Sequence, residues 1–174
     1  TAQPFALNLK RQGKSVLSLS ETGVHCEEGV WTVGLNLAAT EKIYGLGETH
    51  GDLNRRGEYI VSDDTEHRAL PLAWSTSGWG VYANTLGLIS HDLGSENPGE
   101  YLIALEDVTL DLFLFAGEPA EILNQYTQLT GRAGQPVLWS MGVWIEQHEG
   151  QTATQTAEVI AEFRRQQVAI DGVL

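Results

Sequence analysis

The segment Trp144-Ile145-Glu146-Gln147-His148 sets an indole, a carboxylate and an imidazole side by side, directly after an apolar run. Glu146 and His148 are able to hydrogen-bond the hydroxyl groups of a neutral ligand, and the face of Trp144 is able to pack against the C–H side of a sugar ring. Each also has a plainer reading. A loop of Glu, His, Glu and Gly is commonly a solvated connection, and a tryptophan on a strand commonly fills a core. Other chemistries find little support. The histidines, His25, His50, His67, His91 and His148, never stand at i, i+4 spacing, and Cys26 has no second cysteine. No metal site is expected, although folding could join His50 to Asp52 or His91 to Asp92. Gly45-Leu46-Gly47-Glu48-Thr49-His50 begins like a dinucleotide fingerprint but lacks the third glycine and a following helix. With no Gly-rich phosphate loop no cofactor is expected, and with no G-x-S-x-G elbow no serine nucleophile.

The elements that would hold that segment change character along the chain. Trp31, Val33, Leu35 and Leu37 alternate with Thr32, Gly34 and Asn36, the pattern of a strand with one buried face. Phe5, Leu7 and Leu9 repeat it, and Val16 to Leu19 do so more loosely. Further strands are expected over Tyr59 to Val61, Leu70 to Trp74, Gly80 to Asn84, Gly87 to His91, Tyr101 to Leu105 and Val108 to Phe115. Short strands separated by Gly, Asn and Asp turns indicate an antiparallel sandwich. A helix is expected over Pro119 to Thr130, with Pro119 at its first position, Gly131 past its end, and Ile122, Leu123, Tyr126 and Leu129 on one face. Arg132 to Pro136 reads as a linker.

Beyond it the period changes. Val137 to Ile145 is expected to be a buried strand, Thr152 to Gln167 a helix and Val168 to Leu174 a second strand. Thr152 and Gln155 stand at capping-box spacing, and Ala153, Ala157, Ile160 and Phe163 form an apolar stripe. A parallel strand-helix-strand unit needs further strands beside it. The chain therefore reads as a β-rich domain, residues 1–135, followed by the truncated start of an α/β domain, residues 136–174.

The chain has 174 residues and a formal charge of −13, which makes nucleic acid and acidic membranes poor partners and leaves neutral ligands open. It contains no N-x-S/T sequon, no signal-like N-terminus and no apolar run near the roughly twenty residues that span a bilayer. A soluble, cytoplasmic protein is the expectation.

Three stretches carry a family resemblance. Ile43-Tyr44-Gly45-Leu46-Gly47-Glu48 followed by Leu53-Asn54-Arg55-Arg56-Gly57 resembles the YGLGE…LNKRG loop of glycoside hydrolase family 31, the α-glucosidase and α-xylosidase family. Leu70 to Asn84 resembles a second conserved segment of that family. Leu112 to Gly142, with FAGEPAEILNQYTQLTGR and then QPVLWSMGVW, resembles its junction from sandwich to catalytic barrel.

The resemblance implies a galactose-mutarotase-like antiparallel β-sandwich followed by the first β-α-β of a (β/α)8 barrel, whose chemistry sits at the carboxyl ends of the strands. Trp144, Glu146 and His148 then lie where substrate binds. Relatives also send a sandwich loop carrying Trp-Asn-x-Asp over the barrel mouth. The corresponding stretch here is Val61-Ser62-Asp63-Asp64-Thr65, without the Trp and Asn, which points away from ordinary α-glucosides. Asp63 and Asp64 remain candidate hydroxyl acceptors, with an exposed Asx-turn as the alternative. Gly45 and Gly47 are expected to supply special backbone angles, and Glu48 to tie the loop to Arg55 or Arg56. No pair of acids matches the family's catalytic motifs, so the aspartates that do the chemistry are expected downstream. The chain alone is expected to be inactive and prone to self-association through its truncated barrel piece. The alternative is a non-catalytic carbohydrate-binding or structural sandwich, with Trp74, Trp79 and Tyr82 as an aromatic platform.

Overall fold

The computed structural model describes residues 5–48, 51–62 and 70–174, which divide into two compact units, Thr1–Gly131 and Arg132–Leu174. In the first unit β1 (Asn8–Arg11), β2 (Lys14–Glu27), β3 (Val30–Asn36), β9 (Glu100–Glu106), β8 (Ile89–Asp92) and β5 (Tyr59–Ser62) form a six-stranded sheet in that order. A four-stranded sheet runs β10 (Leu112–Ala116), β7 (Trp79–Ala83), β6 (Leu72–Ser75), β4 (Ile43–Gly45). Every pairing in both is antiparallel. The unit is an antiparallel β-sandwich, with one core drawn from both sheets.

The hairpins explain how the six-stranded sheet begins. The β1–β2 and β2–β3 connections are the two-residue loops Gln12-Gly13 and Glu28-Gly29, and all four residues have positive φ. Two consecutive positive φ values match the right-handed twist of the flanking strands. In β3 Val33, Leu35 and the following Leu37 are buried as the alternation implies and Asn36 is exposed, but Gly34, assigned to the open face, is buried as well, and Trp31 and Thr32 are both half-buried.

Trp79 and Tyr101 meet across the sandwich with ring centroids 6.2 Å apart, and both are fully buried. Polar groups are buried with them, among them Glu41 and His91. Glu41 accepts from Trp79 Nε1 at 2.6 Å, from Ser75 Oγ at 2.5 Å and from the Ala38 N–H at 3.0 Å. This satisfies a carboxylate that would otherwise be costly to bury. His91 Nδ1 lies 2.7 Å from the Tyr101 hydroxyl, and its Nε2 is buried without a partner among the described residues. Burial pushes the His91 imidazole down to about 4 and pushes the Tyr101 phenol up.

A folded-state value below the unfolded one means that His91 stays neutral in the native protein, while the unfolded chain takes up a proton first. The stabilisation is present above about 6.5 and lost as pH falls through the window down to about 4, on the order of 3 kcal/mol in all. Urea midpoints should fall with acidification across that window, and more steeply in the parent than in His91→Leu. Parallel curves for the two proteins would contradict the assignment.

Helix α1 (Pro119–Thr130) has the bounds its sequence implied, with Pro119 at its start. Glu118 and Glu121 close a capping box, and Arg11 of β1 reaches Glu118 at 2.7 Å and Glu121 at 3.3 Å. Ile122 is fully buried against the outer face of the four-stranded sheet, beside Leu72 and Phe115. Gly80 makes the approach possible, because a Cβ there would stand 2.6 Å from the Ile122 side chain. Leu123 and Leu129, placed on the same face by the sequence, are exposed.

In the second unit β11 (Trp144–Ile145) and β12 (Gly172–Val173) pair in parallel, and α2 (Ala153–Arg165) connects them. Thr152 and Gln155 form the expected capping box. Two expectations are corrected. Val137 to Ile145 is a 3-10 turn over Leu138–Met141 ahead of a short strand, since Ser140 N and Oγ both bond the Val137 carbonyl and Gly142 N bonds that of Trp139. Those groups are then unavailable to a ladder. Val168 to Leu174 is strand only at Gly172–Val173, because Val168 N is spent on Phe163 O at the end of α2. The inward face of α2 also differs: Thr156 is buried and Val159, Ile160 and Phe163 half-buried, whereas Ala153 and Ala157 are exposed. Thr156 tolerates burial because its Oγ1 donates to Thr152 O at 3.2 Å. Among the described residues no helix is long and apolar enough to cross a membrane.

Candidate functional site

Trp144 lies on β11, half-buried, 5.6 Å from the ring of Trp139 and directly over Gly172 of the paired strand. A Cβ at Gly172 would come within 2.3 Å of the Trp144 ring, so the glycine makes room for the indole. The loop after β11 begins at the carboxyl end of the parallel pair. Gln147 N donates to Leu174 O at 3.0 Å, His148 N to Gln151 Oε1 at 3.2 Å and Gln151 N to His148 O at 3.0 Å. The turn is thus closed by backbone and Gln151, and Glu146 and His148 are exposed on it. Trp144, Glu146 and His148 lie along one short stretch of chain. Asp63, Asp64, His50 and His67 lie outside the described residues.

The glycine-rich motif of the first unit is a structural anchor. Gly45, Leu46 and Gly47 all take positive φ, 103°, 64° and 85°. Leu46 is fully buried and its N–H bonds Leu72 O at 2.9 Å. Asn54 Oδ1 accepts from Ile43 N at 3.0 Å, and Arg55 N donates to Ile43 O at 2.8 Å. Buried Arg55 reaches Glu58 at 3.3 Å, and Arg56 donates to Pro98 O at 2.6 Å. Glu48 is exposed.

The aromatic platform is corrected. Trp79 is fully buried, with its indole N–H held by Glu41, and Trp74 is stacked on Tyr44 at 4.7 Å. Tyr82 packs on Phe113 at 6.0 Å and edge-on to Tyr126 at 5.2 Å, and burial raises its phenol pKa. Tyr82 and Tyr126 line a groove of about 400 Å³ together with Ser62, Leu70, Leu86 and Leu88, all within the first unit. No reading of the sequence located this groove. Tyr126 belonged to the apolar face of α1 and Tyr82 to an alternating strand, and only folding brings them together. His91 and Asp92 also turn to separate tasks, His91 to Tyr101 and Asp92 to the N–H and Oγ of Ser95 at 2.6 and 2.8 Å. Among the described residues no cluster of His, Cys, Asp and Glu could hold a metal ion.

No family model matches the chain. An alpha-xylosidase of Emericella nidulans is 31% identical over 136 residues, covering 73% of this chain and 17% of that protein. The alpha-xylosidase XylQ of Lactiplantibacillus pentosus is 31% identical over 120 residues, covering 64% of this chain and 16% of its own length. The GH31 dextranase of Flavobacterium johnsoniae, solved in complex with glucose, superimposes with a TM-score of 0.83 at 23% identity, over 95% of this chain and 22% of that one. The chain matches the N-terminal region of glycoside hydrolase family 31. It spans about a sixth of the length of the two xylosidases. The antiparallel sandwich of the first unit is the fold of this family 31 region.

Proposed function

We propose that the chain is the N-terminal portion of a retaining α-glycosidase acting on O-glycosyl bonds of α-glucosides, α-xylosides or related sugars. The observation that carries this is the 31% identity over 136 residues to an alpha-xylosidase. In this reading residues 1–135 are the sandwich and residues 136–174 the first β-α-β of a (β/α)8 barrel, a role supported by the parallel pairing of β11 with β12 across α2. Glu146 and His148 then contribute hydroxyl contacts and Trp144 an apolar ring face at the carboxyl end of the first barrel strand. Asp63 and Asp64 add acceptors from the sandwich. Retaining hydrolysis needs two carboxyl groups about 5 Å apart, one attacking the anomeric carbon and one protonating the leaving oxygen. We assign both to aspartates later in the parent polypeptide. The carbohydrate partner is an α-linked oligosaccharide or glycoside.

The test compares the 174-residue chain with the full-length polypeptide from its natural source, on aryl α-xyloside and aryl α-glucoside. The short chain is expected to release no aryl alcohol and to sediment as oligomers, driven by exposed Leu138, Met141 and Leu174. The parent is expected to turn over at least one substrate with retention of configuration. Turnover by the short chain, or none by the parent, would sink the proposal.

A further inference from the structure

The loop between β11 and α2 leaves Glu146 and His148 exposed while its backbone is tied down. Gln147 N donates to Leu174 O at 3.0 Å, which pins the start of the loop to the residue after β12. His148 to Gln151 then form a β-turn, closed by Gln151 N on His148 O at 3.0 Å. Gly150 stands third in that turn at φ 84°, the value a type II turn requires there. The side chain of half-buried Gln151 turns back, and its Oε1 accepts from His148 N at 3.2 Å. Both backbone polar groups of His148 are therefore bonded to Gln151. Gln147 Nε2 adds a further tie, donating to Gln151 O at 2.5 Å. The next residue, Thr152, caps α2, so the turn is anchored to the helix as well.

We propose that Gln151 is a positioning residue for sugar recognition, holding His148 in the backbone conformation that meets a sugar hydroxyl. The proposal rests on the glycosidase reading above, which supplies the ligand. A Glu-Gln-His-Glu-Gly connection without such ties would have to be ordered as the ligand binds, and that loss of freedom would weaken binding. With the His148 backbone fixed beforehand, only its side-chain torsions remain to be set. In its bond to His148 the Gln151 side chain is the acceptor, so the amide NH2 is dispensable there. A carboxylate of the same length can take its place, whereas a thioether of similar length accepts only weakly. Glu146 is held separately, through the bond of Gln147 to Leu174, so the contribution of Gln151 runs through His148.

The test is the kinetics of the full-length parent on aryl α-xyloside and aryl α-glucoside, with Gln151→Met, Gln151→Glu and His148→Ala. Gln151→Met should raise KM about five-fold, the equivalent of one hydrogen bond, and leave kcat within about two-fold, because uniform binding is what is lost. Gln151→Glu should return KM to the parent's value. In the His148→Ala background Gln151→Met should raise KM no further, since both act through one contact. Amide exchange gives a readout that needs no activity. The His148 N–H should exchange about ten-fold faster in Gln151→Met, with α2 unchanged. An unchanged KM in Gln151→Met, no recovery with Glu, additive losses in the double variant, or a His148 amide that exchanges equally fast in both proteins would each overturn the proposal. A parent inert on every glycoside removes this proposal together with the glycosidase reading. An active parent whose KM ignores Gln151 removes the positioning role alone.

Discussion

Replacing Trp79 by alanine should lower the unfolding free energy by roughly 3–5 kcal/mol, the range for deleting a large buried aromatic side chain. Trp79 is fully buried, it stacks with Tyr101, and its Nε1 donates to Glu41 at 2.6 Å. Alanine therefore opens a cavity and also strips a buried carboxylate of one of its donors. Trp79→Phe separates the two effects, since it keeps most of the ring volume and removes only the donor. Its cost should be about 1–3 kcal/mol. Replacing Glu41 by Gln in the Trp79→Phe background should recover part of that loss, because a neutral amide is cheaper to leave short of a partner. Urea denaturation of the three variants provides the measurement. A Trp79→Phe protein as stable as the parent would show that Glu41 does not depend on the indole.

Gly45→Ala is the second large effect. The glycine sits at φ 103°, and a Cβ there would lie 2.2 Å from the carbonyl oxygen of Leu72, a backbone atom that cannot swing aside. Strain and overpacking together should cost about 2–4 kcal/mol. Gly57 provides the control. It has φ 83° and nothing within 4 Å of its would-be Cβ, so Gly57→Ala should show the backbone strain alone, about 1 kcal/mol. The difference between the two midpoints isolates the close approach of β4 to β6. Equal midpoints would mean that the Gly45 turn relaxes without consequence.

Local signals were legible wherever the residues that decide a structure are close in sequence. Pro119 and Gly131 marked both ends of α1, and Thr152 with Gln155 marked the start of α2. The alternation in β3 foretold the burial of Val33 and Leu35, though not that of Gly34 between them. The failures have the opposite character. β4 is three residues ending in glycine, too short for any period to show. The apolar run after Pro136 has strand composition, yet Ser140 and Gly142 divert its backbone bonds into a 3-10 turn. Glu41 looked like one acid among many because its partners Ser75 and Trp79 lie 34 and 38 residues away. Trp79 was misread as a surface ring for the same reason. Of the candidate site, the cluster Trp144, Glu146 and His148 was visible as contiguous sequence. The groove was not, because β7 and α1 each supply only one of its tyrosines.

The exposed thiol of Cys26, opposite Trp31 on the β2–β3 hairpin, is the only sulfhydryl in the chain. A maleimide fluorophore or nitroxide can therefore be attached at one defined address without removing competing cysteines. Trp31 stands beside it as an intrinsic quencher, so this hairpin can be followed through assembly with a single reporter.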